Sequence, residues 1–336
     1  MWEIAEGSRK ERRVNATDRP RVVIASLVPS AVVEHLATRF EVVNVMGRPR
    51  TQLLDALATA SGLLVNSAVR IDEELLAAAP RLRIVATASV GYDNVDLAAL
   101  ARRGIALSNT RGSLVETVAD LAFGLVIVAM RRLGPALAWV RTGNWTRGPA
   151  PFGHDLEGAT LGIVGFGAIG AALARRARVS GMRVIYSNRR PRRDDAVTEA
   201  AYRTFEALLA EADCVVVLVP LTDETRGMFG DAAFARMKPE ATFVNVARGA
   251  VVDTNALVRA LDAGRIAGAA LDVTDPQPIP PDHPLAARDD VTITPHMGSA
   301  TTETRERMAF LAAENLLAWL DGKPLPTHVE LESPPA

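Results

Sequence analysis

From Arg21 onward the chain alternates short β-branched runs with amphipathic stretches, and that alternation limits the folds open to it. RVVIASL (21–27), FEVVNV, GLLVN, RLRIVATA and IALSN (105–109) read as strands. Pro29 opens the first intervening helix, with Val32, Val33 and Leu36 at helical spacing, and TQLLDALATA and DEELLAAAP supply the next two. Parallel strands need a crossover between them, and a helix provides it, so this pattern predicts an α/β chain with parallel sheets covered on both faces. The alternation is interrupted at 113–133 by SLVETVADLAFGLVIVAMRRL, which reads as one long helix with Ser113 and Glu116 at capping-box spacing. A Gly/Pro-rich loop over 142–158, carrying Trp145 and Phe152, leads into a second strand–helix series from TLGIVGFG to VTITP. The last helix, TTETRERMAFLAAENLLAWLDG, stops at Gly322 with Pro324 beyond it.

The length of 336 residues suits two such domains, and 49% hydrophobic with 23% charged residues excludes disorder, collagen and coiled coil. Basic and acidic residues nearly cancel, 38 against 39, so neither nucleic acid nor an anionic membrane is expected as a partner. The single cysteine, Cys214, lies in the apolar run CVVVLVP, which predicts a buried strand residue and no Cys-based metal site; no metal is expected. The longest uncharged apolar run, Leu121–Met130, falls well short of the roughly 20 residues a membrane helix needs. Residues 1–20 read as a charged tail with no apolar run after its basic residues, so no signal peptide is expected and the location expected is cytoplasmic.

Gly165, Gly167 and Gly170 form G-x-G-x-x-G between a strand and a helix, with Ala168 and Ile169 opening the helix. In that context the first glycine permits a tight turn, the second admits a pyrophosphate and the third lets helix and strand pack closely, while the helix N-terminus attracts negative charge. The next strand, RVIYS, is followed by Asn188, Arg189 and Arg190, with no carboxylate before Asp194. An NAD site usually places Asp or Glu at this point for the ribose hydroxyl, whereas arginines suit a 2′-phosphate. NADPH is therefore the expected cofactor, with NAD possible.

Seven motifs follow in order: SVGYDNVDL (89–97), ETVADLAFGL (116–125), GIVGFGAIG (162–170), VPLTDETRGMF (219–229), VNVARGAVVD (244–253), ALDVTDPQP (270–278) and TPHMGSA (294–300). Through them residues 20–325 resemble the D-2-hydroxyacid dehydrogenase family, and within it the glyoxylate/hydroxypyruvate reductases. The resemblance implies two doubly wound domains with an interdomain cleft. A Rossmann-type cofactor domain would span 116–302, and a flavodoxin-like substrate domain 21–115 with 303–336. It implies that Arg248 binds the carboxylate of a small 2-oxo acid and polarises its carbonyl, that His296 protonates the new alkoxide, and that backbone at Val90–Gly91 cradles the same carboxylate. Thr117, Pro220, Ala247, Asp272 and Gly298 would border the cofactor. The chemistry is sensible unaided, since histidine donates a proton near neutral pH and a fixed arginine offsets a developing oxyanion. His35, His154, His283 and His328 have no such context.

One departure matters. The family has a catalytic Glu at the position of Gln277, and Gln can orient a histidine ring without stabilising its charged form. Asp275 is a conceivable substitute, although solvent is its expected surrounding. Arg111 stands where the family often has Pro. The resemblance also implies a homodimer built on the long helix and the loop after it, with Trp139 or Trp145 either reaching a neighbour or packing within its own chain. Two other readings are a dehydrogenase for a bulkier 2-oxo acid and a cofactor-binding regulator, the latter favoured by Gln277.

Overall fold

The computed structural model describes residues 19–192 and 199–331; the expected tail up to residue 18, and Asp194, lie outside the described residues. The chain divides into two compact units, one holding the described residues up to Arg111 together with Glu306 onward, the other Gly112–Arg305.

In the first unit β1 (Arg21–Ala25), β2 (Glu41–Asn44), β3 (Gly62–Val65), β4 (Ile84–Thr87) and β5 (Ala106–Ser108) run parallel in the order β5-β4-β3-β1-β2. This is the flavodoxin-like winding. The crossovers are α1 (Ser30–Ala37), α2 (Arg50–Leu57), α3 (Glu73–Ala78) and α4 (Leu97–Arg103). Asp72 and Asp96 cap α3 and α4 by accepting from the N–H groups of Leu75 and Ala99, and left-handed Gly104 ends α4. Every residue of β3 and β4 is buried, which explains their unbroken apolar runs: a helix covers each face. The second cover on one face is α11 (Thr302–Leu320), whose Ala309, Ala312, Ala313 and Leu316 pack with Val22, Ile24, Ile84 and Ala86. The sheet is not wholly parallel as expected. β13 (His328–Val329) adds an antiparallel edge to β5, and two residues are too few to show a strand period in sequence.

In the second unit β6 (Thr160–Val164), β7 (Arg183–Ser187), β8 (Ala201–Tyr202), β9 (Cys214–Val217), β10 (Thr242–Asn245), β11 (Gly268–Leu271) and β12 (Val291–Ile293) form a parallel sheet in the order β12-β11-β10-β9-β6-β7-β8. The strand order reverses beside β6, the arrangement of dinucleotide-binding sheets. Cys214 is fully buried, as expected, and burial pushes its thiol up to about 12. α7 (Ala168–Val179), α8 (Phe205–Glu211), α9 (Asp231–Phe234) and α10 (Thr254–Asp262) flank the sheet.

The long helix departs from the expectation at both ends. α5 runs Val115–Met130 with Leu114 at the N-cap position, where the expectation had Ser113 and Glu116 capping the helix. Glu116 instead binds Arg175 and Arg176 at 2.8 and 2.9 Å, which ties α5 to α7 and holds its carboxyl below the usual range. After Met130 the chain turns by 64° through left-handed Arg132 into α6 (Leu133–Arg141). Pro135 supplies the reason: its ring would clash with the carbonyl four residues back in a continuous helix, but is tolerated in the first turn of a new one. Among the described residues no single helix is long and apolar enough to cross a membrane.

β6 carries the glycine loop, and its packing is tight at Gly162. A Cβ there would lie 2.7 Å from Leu208 Cδ2 and 2.8 Å from Ala212 Cβ. Gly162→Ala should therefore destabilise the protein by about 1–3 kcal/mol, read as a lower urea midpoint at unchanged slope.

Candidate active site

β6 ends in Gly165, whose φ of 99° belongs to the left-handed side of the map that side chains avoid. A Cβ at this position would also strike Val219 N at 2.6 Å, so the turn is pressed against the segment leaving β9. Gly170 has a different duty: its Cβ position is 3.2 Å from the Gly165 carbonyl and 3.4 Å from Ile163 Cγ2, which brings α7 close onto β6. Above Gly167, its chain neighbours and its own helix aside, no atom of the described residues lies within 4 Å of the Cβ position. Gly167 is also the N-cap of α7, and the N–H groups of Ala168, Ile169 and Gly170 begin the helix beneath that open space. A dinucleotide pyrophosphate fits here on steric and electrostatic grounds.

At the end of β7 the three candidate residues do different things. Asn188 accepts from Phe166 N at 2.7 Å and donates to Phe166 O at 3.2 Å, so its amide braces the glycine loop. Arg189 and Arg190 are exposed. Glu224 lies within the field of Arg189; its carboxyl is held below the usual range chiefly by the Thr222 hydroxyl, with Arg189 a smaller cause. Arg192, which the sequence did not single out, donates to Phe166 O at 3.3 Å and covers the Phe166 ring, which stacks on Tyr186 at 4.5 Å.

The catalytic candidates of this unit sit at the carboxyl ends of β10, β11 and β12. Asn245, 1% exposed, accepts from Ala247 N at 3.0 Å and donates to Arg248 O at 2.9 Å, shaping the turn that presents Arg248. Arg248 Nη1 donates to Ala247 O at 2.8 Å. Next comes Gly249, where a Cβ would stand only 2.0 Å from the Thr274 carbonyl oxygen, so the arginine turn lies directly against the segment leading to Gln277. That segment is held by Thr254 Oγ1 donating to Asp275 O and Thr274 Oγ1 to Pro276 O.

His296 has φ 53°, unusual for a residue with a side chain. The conformation is imposed by its surroundings. Its N–H donates to Asp272 O, while the Asp272 carboxylate accepts from Thr294 Oγ1 at 2.6 Å, Met297 N at 2.7 Å and Gly298 N at 2.8 Å. Asp272 therefore holds the histidine loop, with about one of a carboxylate's four acceptor directions still open. Gln277 Nε2 lies 2.9 Å from His296 Nδ1, so the glutamine stands beside the histidine as expected. Asp275 is exposed and its side chain has no partner among the described residues. Thr117 pairs with Thr304 at 2.7 Å. Pro220 is exposed after β9, and Ala247 is buried beneath the Arg248 turn.

In the first unit Val90 and Gly91 follow β4. Their carbonyls are occupied, by Asn109 Nδ2 at 2.9 Å and Ser89 Oγ at 2.8 Å respectively. Their N–H groups have no acceptor among the described residues and are suited to a carboxylate. Arg111 is exposed, its N–H donating to Asn109 Oδ1. Of the two tryptophans, Trp139 donates to Gly148 O at 3.1 Å within its own chain, and Trp145 is 71% exposed. Asn245, Asn109 and Ser89 were missed; an Asn at a strand end before a turn was the available signal for the first two.

The close contact at Gly249 makes a direct test. Gly249→Ala should push Arg248 away from the Gln277 segment and lower kcat by roughly 10–100-fold, the cost of displacing a positioned group by about 1 Å, with dinucleotide affinity from fluorescence titration nearly unchanged.

Comparison with known proteins agrees with this geometry. Residues 123–298 match the model described as D-isomer specific 2-hydroxyacid dehydrogenase, NAD binding domain. A glyoxylate reductase of Aeropyrum pernix is 43% identical over 324 residues, covering 94% of this chain and 97% of the relative. A glyoxylate/hydroxypyruvate reductase B of Klebsiella pneumoniae is 43% identical over 312 residues, covering 90% and 96%. Among solved structures, an NADPH-dependent glyoxylate/hydroxypyruvate reductase of Sinorhizobium meliloti, in complex with NADP and malonate, superposes with a TM-score of 0.85 at 36% identity, covering 94% of this chain and 98% of that one. Likeness of this extent, in sequence and in fold together, means that the chain belongs to the D-2-hydroxyacid dehydrogenase family and is a nicotinamide-dependent oxidoreductase.

Proposed function

We propose that the protein reduces small 2-oxo acids, glyoxylate and hydroxypyruvate, to 2-hydroxy acids with NADPH. The carrying observation is a histidine ring oriented by Gln277, whose segment packs against the Arg248 turn, in the unit that also holds the glycine loop. The names of the relatives support the substrate. Val90, Gly91 and Arg248 are assigned to the substrate carboxylate, and Arg248 also polarises the carbonyl. Thr117, Pro220, Ala247, Asp272 and Gly298 are assigned to the border of the cofactor. A bound dihydronicotinamide would supply the hydride for the carbonyl carbon. His296 gives its proton to the oxygen that becomes the hydroxyl, from the ring nitrogen away from Gln277. To donate, the ring must first carry both protons, and Gln277 then offers Oε1 to Nδ1–H. With Nε2 turned to Nδ1, the same amide binds the neutral ring instead. Glutamine thus orients both states and adds charge to neither.

A homodimer is the proposed assembly. α6 buries none of its residues, and Leu137, Val140, Trp145 and Phe152 are 59, 55, 71 and 85% exposed, an apolar surface that a second copy would cover. A cofactor-binding regulator is the second reading, favoured by the missing carboxylate at Gln277.

A spectrophotometric panel of 2-oxo acids with NADPH and NADH tests the function. Turnover of glyoxylate or hydroxypyruvate is expected, and none with any 2-oxo acid would leave the regulator. Arg189→Ala with Arg190→Ala should raise KM for NADPH by about 10–150-fold, the worth of a charge-assisted contact, and change KM for NADH little. Equal use of both cofactors by the wild type would contradict the phosphate role of these arginines.

A carboxylate beside His296 would favour the charged ring. The charged ring is the donor for reduction, and that activity is lost as pH rises through its titration. Gln277→Glu should therefore shift the basic limb of the kcat/KM profile for reduction upward by about one pH unit. An unmoved limb would show that the pair at 277 and 296 does not set it.

A further inference from the structure

The N–H groups after β4 are aimed by residues that no part of the proposed reaction uses. In a trans peptide the carbonyl of one residue and the N–H of the next point in opposite directions from one rigid plane. Asn109 Nδ2 donates to Val90 O at 2.9 Å and so sets the direction of the Gly91 N–H. The same bond draws electron density toward the carbonyl and makes that N–H a stronger donor. Asn109 is 5% exposed, and its backbone is held in turn: its N–H donates to Thr327 O at 3.2 Å, and its carbonyl accepts from the Thr327 hydroxyl. Thr327 is locked by Asn315 of α11, which is fully buried. Asn315 donates to Thr327 Oγ1 at 2.9 Å and accepts from Thr327 N at 3.1 Å. The remaining amide proton of Asn315 goes to Leu311 O at 2.7 Å. Every polar atom of these side chains is satisfied, and the chain of bonds runs from the C-terminal helix to a single peptide plane.

We infer that Asn109 is a positioning residue for substrate binding: it aims and polarises the Gly91 N–H toward the substrate carboxylate, and the buried Asn315–Thr327 pair holds it in place. The inference rests on the proposed reduction of a 2-oxo acid. It assigns a role to three residues distant in sequence, and makes the segment leading into β13 part of the binding apparatus.

Asn109→Asp tests it, because the isosteric side chain presents only oxygen to the Val90 carbonyl. KM for glyoxylate should rise about 5–30-fold, the worth of one oriented hydrogen bond, while the Kd for NADPH stays at the wild-type value. Thr327→Val removes the hydroxyl at equal size and should raise the same KM about three- to tenfold; Thr327→Ser keeps the hydroxyl and should restore it. The Thr327 pair decides the matter even where Asn109→Asp does not fold. A glyoxylate KM equal to wild type in Asn109→Asp and Thr327→Val overturns the inference and leaves the reductase reading standing, as does a loss shared equally by glyoxylate and NADPH. Absence of turnover in the wild type overturns the reading and the inference together.

Discussion

The site depends most on a buried carboxylate. Asp272 is 2% exposed, and a charge so placed is tolerated only where donors surround it. Here the donors come from the loop that carries His296: Thr294 Oγ1, Met297 N and Gly298 N. The bonds are charge-assisted and converge on one group, so the loop has little freedom to place the histidine elsewhere. The left-handed backbone at His296, with φ 53°, is affordable because these bonds over-determine it. Asp272 N also bonds Asn245 O, which links the histidine loop to the turn that presents Arg248.

Around that anchor, backbone comes closer to backbone than side chains would allow. At Gly165 the requirement is a positive φ as well as contact with Val219. At Gly170 and Gly249 it is contact alone, with α7 drawn onto β6 and the Arg248 turn drawn onto Thr274. Gly167 is the exception, since no atom of the described residues beyond its own chain neighbours and helix lies above it, leaving space that a ligand could take. Glycines close in sequence therefore serve unlike purposes: some let the protein approach itself, and one keeps room for something else. The polar braces follow a similar logic. Asn188, Asn245 and Asn109 each use an amide to hold a neighbouring backbone loop, which leaves other groups at those strand ends to meet ligands.

Much of the architecture was legible in the chain. Strand runs such as GLLV and IVAT are apolar throughout because both faces are covered, and short runs separated by helices admit little besides parallel winding. The glycine loop was readable from its spacing between strand and helix, and the contact of Gln277 with His296 followed from the resemblance that the motifs carry. The end of the long helix was not placed correctly, although Pro135 marks where a continuous helix must fail. The N-cap position fell on Leu114, and Glu116, the expected reciprocal partner of Ser113, is held by Arg175 and Arg176 of another helix. β13 was invisible because its strand character comes from β5, not from its own two residues.

By itself, then, the sequence determined two α/β units and the glycine loop between strand and helix, which follow from local periodicity and spacing, while the residues proposed for the chemistry were named through the motifs that carry the family resemblance. Only the tertiary structure decided how those residues are held. The clamp of Asp272 on the histidine loop spans 22 to 26 positions, and the bond from Thr327 to Asn109 spans 218. Hydrogen bonds of such separation leave no period or spacing in the chain, because they exist only after the sheets have brought distant segments to the same edge. The direction in which Asn188 turns its amide was decided in the same way. A residue at the end of β7 has both solvent and the glycine loop within reach, and the unpaired backbone of Phe166 selects the loop.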